Sequence, residues 1–174
     1  MQSFETARLR MRPLCPQDRT LYCACYTDPE LMLHIGEPLS HEAAERSFLA
    51  ALKMNSASPA RRHTWVMQEK EMHQEIGLLA LVYSQSSHKP GNADIGAIIF
   101  AKFQNKGFAA EAIGALVNIA FASTTLSTLS TYHAADNLAA NGLMQKLGFQ
   151  PDTTQASAST RWLLARSNHT YNVR

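Results

Sequence analysis

The chain has 174 residues, 45% of them hydrophobic, with 16 Lys and Arg against 14 Asp and Glu for a formal charge of +2. That length suits one domain spanning 1–174, large enough to bury a real core. So small a charge argues against a dedicated nucleic-acid binder, and no apolar run approaches the length that crosses a bilayer.

From Glu5 to Arg12 the chain is charged and polar, unlike a secretory signal, so the expected location is the cytoplasm. Leu9 to Leu14 alternates apolar and basic residues and predicts a first strand, with Arg8, Arg10 and Arg12 along an exposed face. Pro16 opens a helix to Tyr26, since proline is tolerated in a first turn. The three cysteines, Cys15, Cys23 and Cys25, lack a fourth ligand or a useful His spacing, so free thiols and no metal are expected. Asp28-Pro29-Glu30 starts a shorter helix that Gly36 and Pro38 end, and Ser40 caps another through Met54. After a polar loop with Pro59, His63 to Gln68 and Glu75 to Tyr83 read as two strands. Pro90-Gly91 marks the loop from Ser84 to Asn92.

The stretch from Ala93 to Phe121, ADIGAIIFAKFQNKGFAAEAIGALVNIAF, carries the most information. It reads as an apolar strand from Ala93 to Lys102, a turn through Gln104-Asn105-Lys106-Gly107-Phe108-Ala109, and a helix from Gly107 to Ala122. The first N–H groups of a helix have no partner within it, and its dipole favours negative charge there. Gly107 and Ala109 keep bulk away from the backbone, and Lys106 adds a positive charge. The turn therefore suits a pyrophosphate-bearing ligand. It matches neither G-x-x-x-x-G-K-[ST] nor G-x-G-x-x-G. Glu111, in the first turn of the helix, complements the dipole. A strand from Leu129 to Ala134 and a helix from Asn137 to Leu147 follow. Strands around Gln150 to Asp152 and Arg161 to Arg166, separated by a small polar loop at 153–160, complete the order. Trp65 and Trp162 are packing residues.

The pattern [Q/R]-x-x-G-x-[G/A] from Gln104 to Ala109, followed by Glu111 and Ala112, resembles the acetyl-CoA turn of the GNAT family, the Gcn5-related N-acetyltransferases. The segment NLAANGLMQKLGF resembles the N-x-x-S-x-x-x-x-x-K-L-G-F of the ribosomal-protein acetyltransferases at Asn137, Lys146, Leu147, Gly148 and Phe149, with Ala140 at the serine position. The opening from Phe4 to Leu14 is similar to that subfamily's E-T-x-R-L-x-L-R-P-L, and Asp28-Pro29-Glu30 to its D-P-E. The resemblance spans nearly the whole chain in order.

It implies an α/β (α+β) fold: a mixed, mostly antiparallel central sheet of six to seven strands flanked by helices, with two strands splayed to admit acetyl-CoA. It implies an acetyl-CoA-dependent N-acetyltransferase acting on a primary amine, either a protein N-terminus or a small molecule. Backbone groups of Ile98, Ile99 and Phe100 would meet the pantetheine arm, and one N–H near Ile99 would face the thioester oxyanion. Gln104, Asn105, Lys106, Gly107, Phe108 and Ala109 would hold the pyrophosphate, and Asn137 would bind the arm from the far side. Candidates for the base are Asp94 and His133, with Glu75 weaker. The family's usual acids are absent, since Ala140 and Met144 stand at the Ser and Tyr positions, leaving Tyr132 or Tyr83 as substitutes, with an ordered water or Asn141 to hold one. That departure motivates a second expectation, a CoA-binding sensor or structural partner with little turnover. Arg61 and Arg62 read as solvated loop charge, with the 3′-phosphate of CoA as the other option. No nucleic acid, membrane or metal is expected, and the assembly is a monomer or homodimer. The acceptor-side segments, Leu31 to Glu45 and 156–160, carry no recognisable code.

Overall fold

Two neighbouring strands in the middle of the sheet run side by side for only three residue pairs and then part. A computed structural model describes residues 2–84, 91–153 and 159–169 of the chain. Most of the Ser84–Asn92 loop and most of the 153–160 loop lie outside those residues, as does part of the second acceptor-side segment.

An eight-stranded sheet has the order β1-β2-β3-β4-β5-β6-β8-β7. Its strands are β1 (Phe4–Glu5), β2 (Leu9–Pro13), β3 (Arg62–Glu69), β4 (Glu75–Tyr83), β5 (Asn92–Ile99), β6 (Thr128–Ala134), β7 (Gln150–Pro151) and β8 (Ser159–Ala165). Six are substantial, while β1 and β7 are two residues each, which accounts for the count above the expected six to seven. Every pairing is antiparallel except β5 with β6. The expected strand Ala93–Lys102 ends instead at Ile99, because Ala101–Phe103 closes into a 3₁₀ turn held by Phe103 N–H donating to the Phe100 carbonyl at 2.8 Å.

Among the described residues five α-helices flank the sheet: α1 (Arg19–Thr27), α2 (Pro29–Met32), α3 (His41–Asn55), α4 (Phe108–Ser123) and α5 (Leu138–Lys146). Period-2 alternation in the strands directs side chains to both faces. On one face Leu9, Met67, Leu79, Ile95 and Leu129 meet α4 through Ile113, Leu116, Val117 and Phe121, and Met144 of α5 joins them. Each such fully buried side chain contributes up to about 1.5–3 kcal/mol. On the other face Val66, Leu78 and Ile98 meet Tyr22 and Cys25 of α1 and Phe48 and Ala51 of α3. The three cysteines are free thiols, and burial pushes that of Cys25 up to about 12.

Three helices start on side-chain caps. Asp28 accepts from Glu30 N–H at 2.8 Å, Ser40 from Ala43 N–H at 3.2 Å and Asn137 from Ala140 N–H at 3.0 Å. Helix α4 does not. Its N-cap is Gly107, at φ +80°, and no side chain accepts from the N–H groups of its first turn.

Candidate active site

The wedge arises from register. β5 pairs with β6 only at Asn92 with Thr128, Ala93 with Leu129 and Asp94 with Ser130. β5 nevertheless stays paired with β4 along its length, from Ala93 opposite Tyr83 to Ile99 opposite Gly77. Beyond Asp94, then, one edge of β5 faces a gap instead of a strand.

Backbone alternation decides which groups face that gap. Phe100 N–H donates to the Ile76 carbonyl at 3.0 Å, and the Ile98 carbonyl lies directly over Gly77, so both residues turn toward β4. Since successive residues in a strand point their backbone groups to opposite sides, Ala97 and Ile99 turn theirs toward the gap, while Ile95 turns its own toward β6 at the last rung. Of the three residues expected to offer backbone groups, the structure turns only Ile99 that way. In the protein alone, its carbonyl accepts from Gln104 Nε2 at 2.9 Å. At the far end of β6, Ala134 N–H donates to the His34 carbonyl at 3.1 Å, so the α2–α3 loop borders the gap there.

The chain leaves β5 for the turn that leads into α4. Asn105 takes φ +61° and Gly107 φ +80°, both left-handed, which suits an asparagine and a glycine. Lys102 and Lys106 lie over the Phe103 ring at 4.8 and 5.5 Å. An uncapped helix start, a glycine and two lysines together make a seat for an anion. Phe108 is buried in the α4 core cluster, so its contribution at the turn comes from its backbone; Ala109 follows it in the first helical turn. The Asn137 side-chain oxygen is engaged in capping α5, next to where the wedge opens.

The candidate bases separate. Asp94 forms the last rung before the strands part and accepts a hydrogen bond from Ser130 Oγ. His133, an odd number of residues from Ser130, points to the opposite face, stacks on Trp162 at 6.1 Å and donates through Nε2 to Asn141 at 2.9 Å. It is 8% exposed. Glu75 stands at the other end of β4 from Val82, the partner of Asp94, and is paired with Arg12. Arg61 and Arg62 lie at the opposite sheet end from Glu75 and away from the turn, since Arg62 pairs with Val82.

On the Asp94 face lies a polar cluster that sequence reasoning did not assemble. Arg161 Nη2 donates to Ser130 Oγ at 3.3 Å, its Nη1 stands 3.8 Å from Asp152, and its guanidinium lies 5.3 Å from the centre of the Tyr132 ring. Tyr132 is 51% exposed, and burial, with Asp94 and Asp152 adding and Arg161 opposing, moves its phenol above the ordinary value. Tyr83 packs on the α4 face instead. Met144 sits in the core at 3% exposure, so that position offers nothing to a ligand.

A second missed feature lies behind the turn. Glu111 accepts from Thr6 Oγ1 at 2.5 Å, from Arg8 N–H at 2.8 Å and from Arg8 Nε at 2.7 Å. Burial would raise its carboxyl, but these hydrogen bonds prevail and hold it below the usual range. Arg8 Nη1 also donates to the Lys106 carbonyl at 2.9 Å, and its guanidinium covers the Phe108 ring at 4.6 Å. Arg8 is thus no simple exposed charge, and Glu111 does more than complement a dipole.

Among the described residues no helix is long and apolar enough to cross a membrane, and no group of three or more His, Cys, Asp or Glu side chains is placed to hold a metal.

Comparison with known proteins gives the family and bears on the fold. A family model described as an acetyltransferase (GNAT) domain matches residues 8–150. The chain is 28% identical over 152 residues to the uncharacterized N-acetyltransferase YoaA of Bacillus subtilis, covering 85% of this chain and 82% of that protein. Its fold is similar to the spermidine N-acetyltransferase of Vibrio cholerae solved with CoA and spermine, with a TM-score of 0.76, 20% identity and 94% and 98% of the two chains covered. It is also similar to the ribosomal-protein-S5-alanine acetyltransferase of Vibrio fischeri, with a TM-score of 0.76, 14% identity and coverage of 98% and 100%.

Proposed function

The chain belongs to the GNAT acetyltransferase family and is an acetyl-CoA-dependent N-acetyltransferase, and we propose that its acyl donor lies in the β5–β6 wedge while the amine arrives on the Asp94 face. The observation that carries this reading is the parting of β5 and β6 immediately after Asp94 and Ser130, at a strand that leads to an uncapped helix.

In this reading the pantetheine arm takes the place of the missing strand against Ala97 and Ile99, and the diphosphate sits on the turn from Gln104 to Ala109. The free –NH₂ of Asn137 meets the arm from the other wall. An N–H on the gap side of β5 stabilises the oxyanion that develops on the thioester carbonyl. The amine must be neutral to attack, and Asp94, directly or through a water, takes the proton it sheds. The C–N bond forms, the C–S bond breaks, and the thiolate takes a proton. Tyr132 supplies that proton: it shares the Asp94 face, and its raised phenol stays protonated at neutral pH. Holding donor and amine together in one wedge supplies much of the rate. Similarity to a spermidine N-acetyltransferase and to a ribosomal-protein acetyltransferase supports a primary amine, either on a polyamine or at a protein N-terminus.

Calorimetric titration with acetyl-CoA, repeated with dephospho-CoA, tests the donor site, and thiol release across polyamines, amino acids and peptide N-termini tests the reaction. Micromolar donor binding with release on one of these amines is the expected result. Binding without release on any amine would make the protein a CoA-binding partner, and no binding would overturn the donor site.

A further inference from the structure

The turn that seats the diphosphate is conformationally expensive, with left-handed residues at Asn105 and Gly107 and no side-chain cap on α4. Something must hold it open for a ligand. Arg8 is placed to do so from behind. Its Nη1 holds the Lys106 carbonyl at 2.9 Å, and its Nη2 stands 3.4 Å from where a Cβ on Gly107 would be. The peptide between Lys106 and Gly107 is trans, and in a planar trans peptide the C=O and N–H point in opposite directions. Fixing the Lys106 carbonyl on Arg8 therefore turns the Gly107 N–H away from Arg8, out toward the ligand side of the turn.

Arg8 is itself immobilised. Glu111 grips both its Nε and its backbone N–H, and Thr6 donates to the same carboxylate. Glu111 N–H in turn donates to the Gly107 carbonyl at 3.1 Å, so both peptides flanking Gly107 are tied to one charged pair. Building on the donor site argued above, we propose that Arg8, locked by Glu111, is a positioning residue that aims the Gly107 amide at the diphosphate of acetyl-CoA. Lysine cannot replace it, because one ammonium cannot hold Glu111 and the Lys106 carbonyl in fixed directions as a guanidinium fork does.

The test separates this role from general stabilisation by changing the donor. S-acetylpantetheine has the thioester and the arm but no diphosphate. Acetyl-CoA affinity is measured by calorimetry and S-acetylpantetheine affinity by NMR titration, for the wild type, R8Q, R8K and E111Q, with thermal melts beside them. R10Q is the control: it removes a neighbouring charge whose partner is Glu5, at 2.8 Å, and not Glu111 or Lys106. The expected result is an acetyl-CoA affinity weakened about tenfold or more in R8Q and E111Q, barely rescued by R8K, and unchanged in R10Q. S-acetylpantetheine affinity stays level throughout. Equal losses on both donors, or full rescue by R8K, would overturn the proposal while leaving the donor site standing. Wild type that binds S-acetylpantetheine but gains nothing from the diphosphate of acetyl-CoA would overturn both.

Discussion

Gly77→Ala probes the contact that sets the course of β5. Gly77 has φ +153°, and a Cβ there would stand 2.0 Å from the Ile98 carbonyl oxygen and 2.9 Å from both Ile98 C and Ile99 Cα. A carbon–oxygen contact relaxes only near about 3.3 Å, so the two backbones must separate by about 1.3 Å. Every clashing atom is backbone within a paired ladder, so no side chain can swing aside to relieve it. Overpacking of this kind costs about 1–3 kcal/mol, and a backbone region that only glycine populates readily adds about 1–3 kcal/mol. The variant should lose about 3–5 kcal/mol in urea denaturation, a large part of the total stability of about 5–15 kcal/mol. For a chain of this length the melting temperature should fall by about 10 °C. Pushing β5 off β4 also drives Ile99 into the wedge, so acetyl-CoA should bind more weakly and the amide resonances of Ile98 to Phe100 should shift. A loss below about 1 kcal/mol with unchanged affinity would refute the reasoning.

Three other outcomes follow from named contacts. Asp94→Asn should lower kcat about a hundredfold while KM for acetyl-CoA moves little, measured by thiol release on the amine identified in the panel; an unchanged kcat would leave Asp94 merely as the partner of Ser130. Arg166→Gln removes hydrogen bonds to the carbonyls of Phe121, Thr124 and Leu126 around the end of α4, and should cost about 2–4 kcal/mol in urea denaturation. Asp18 is pushed up by burial but held low overall by Arg12 and by Cys15 N–H, so its stabilisation is full above its unfolded pKa of about 4 and is lost as pH falls through the lower folded value. Stability against pH should therefore decline below about pH 4, and the Asp18→Asn variant should show a shallower acid decline than the wild type.

The residues that punctuate the chain were readable in advance, because their signals are local. Asp28, Ser40 and Asn137 cap helices where short polar residues precede apolar periods, and the Gly107 turn stands out for the same reason. The β1 hairpin arm was not readable, since two residues cannot display a period. Nor was the 3₁₀ closure after Ile99, where the sequence stays apolar and continues the strand pattern. The opposite facing of Asp94 and His133 could have been found by parity once Asp94 was set beside Ser130, but only the fold supplies that register. Gly77 was a missed signal, since a lone glycine inside an apolar strand often marks a bulge, and the β3–β4 register does slip beside it. The clasp of Glu111 on Arg8 joins groups 103 residues apart, and no spacing rule reaches that far.

The short ladder between β5 and β6 also governs how the molecule breathes. Three rungs join the five strands on one side to the three on the other, while beyond Asp94 the α4–α5 layer and the hydrogen bond from Ala134 to His34 span both. Amide hydrogens of Ala97 and Ile99 should exchange with solvent faster than those of Leu78 and Leu79 across the ladder, although all belong to the middle of one sheet. A donor lying along that edge would act as an extra, exchangeable strand, so each turnover would begin by completing the sheet and end by opening it again.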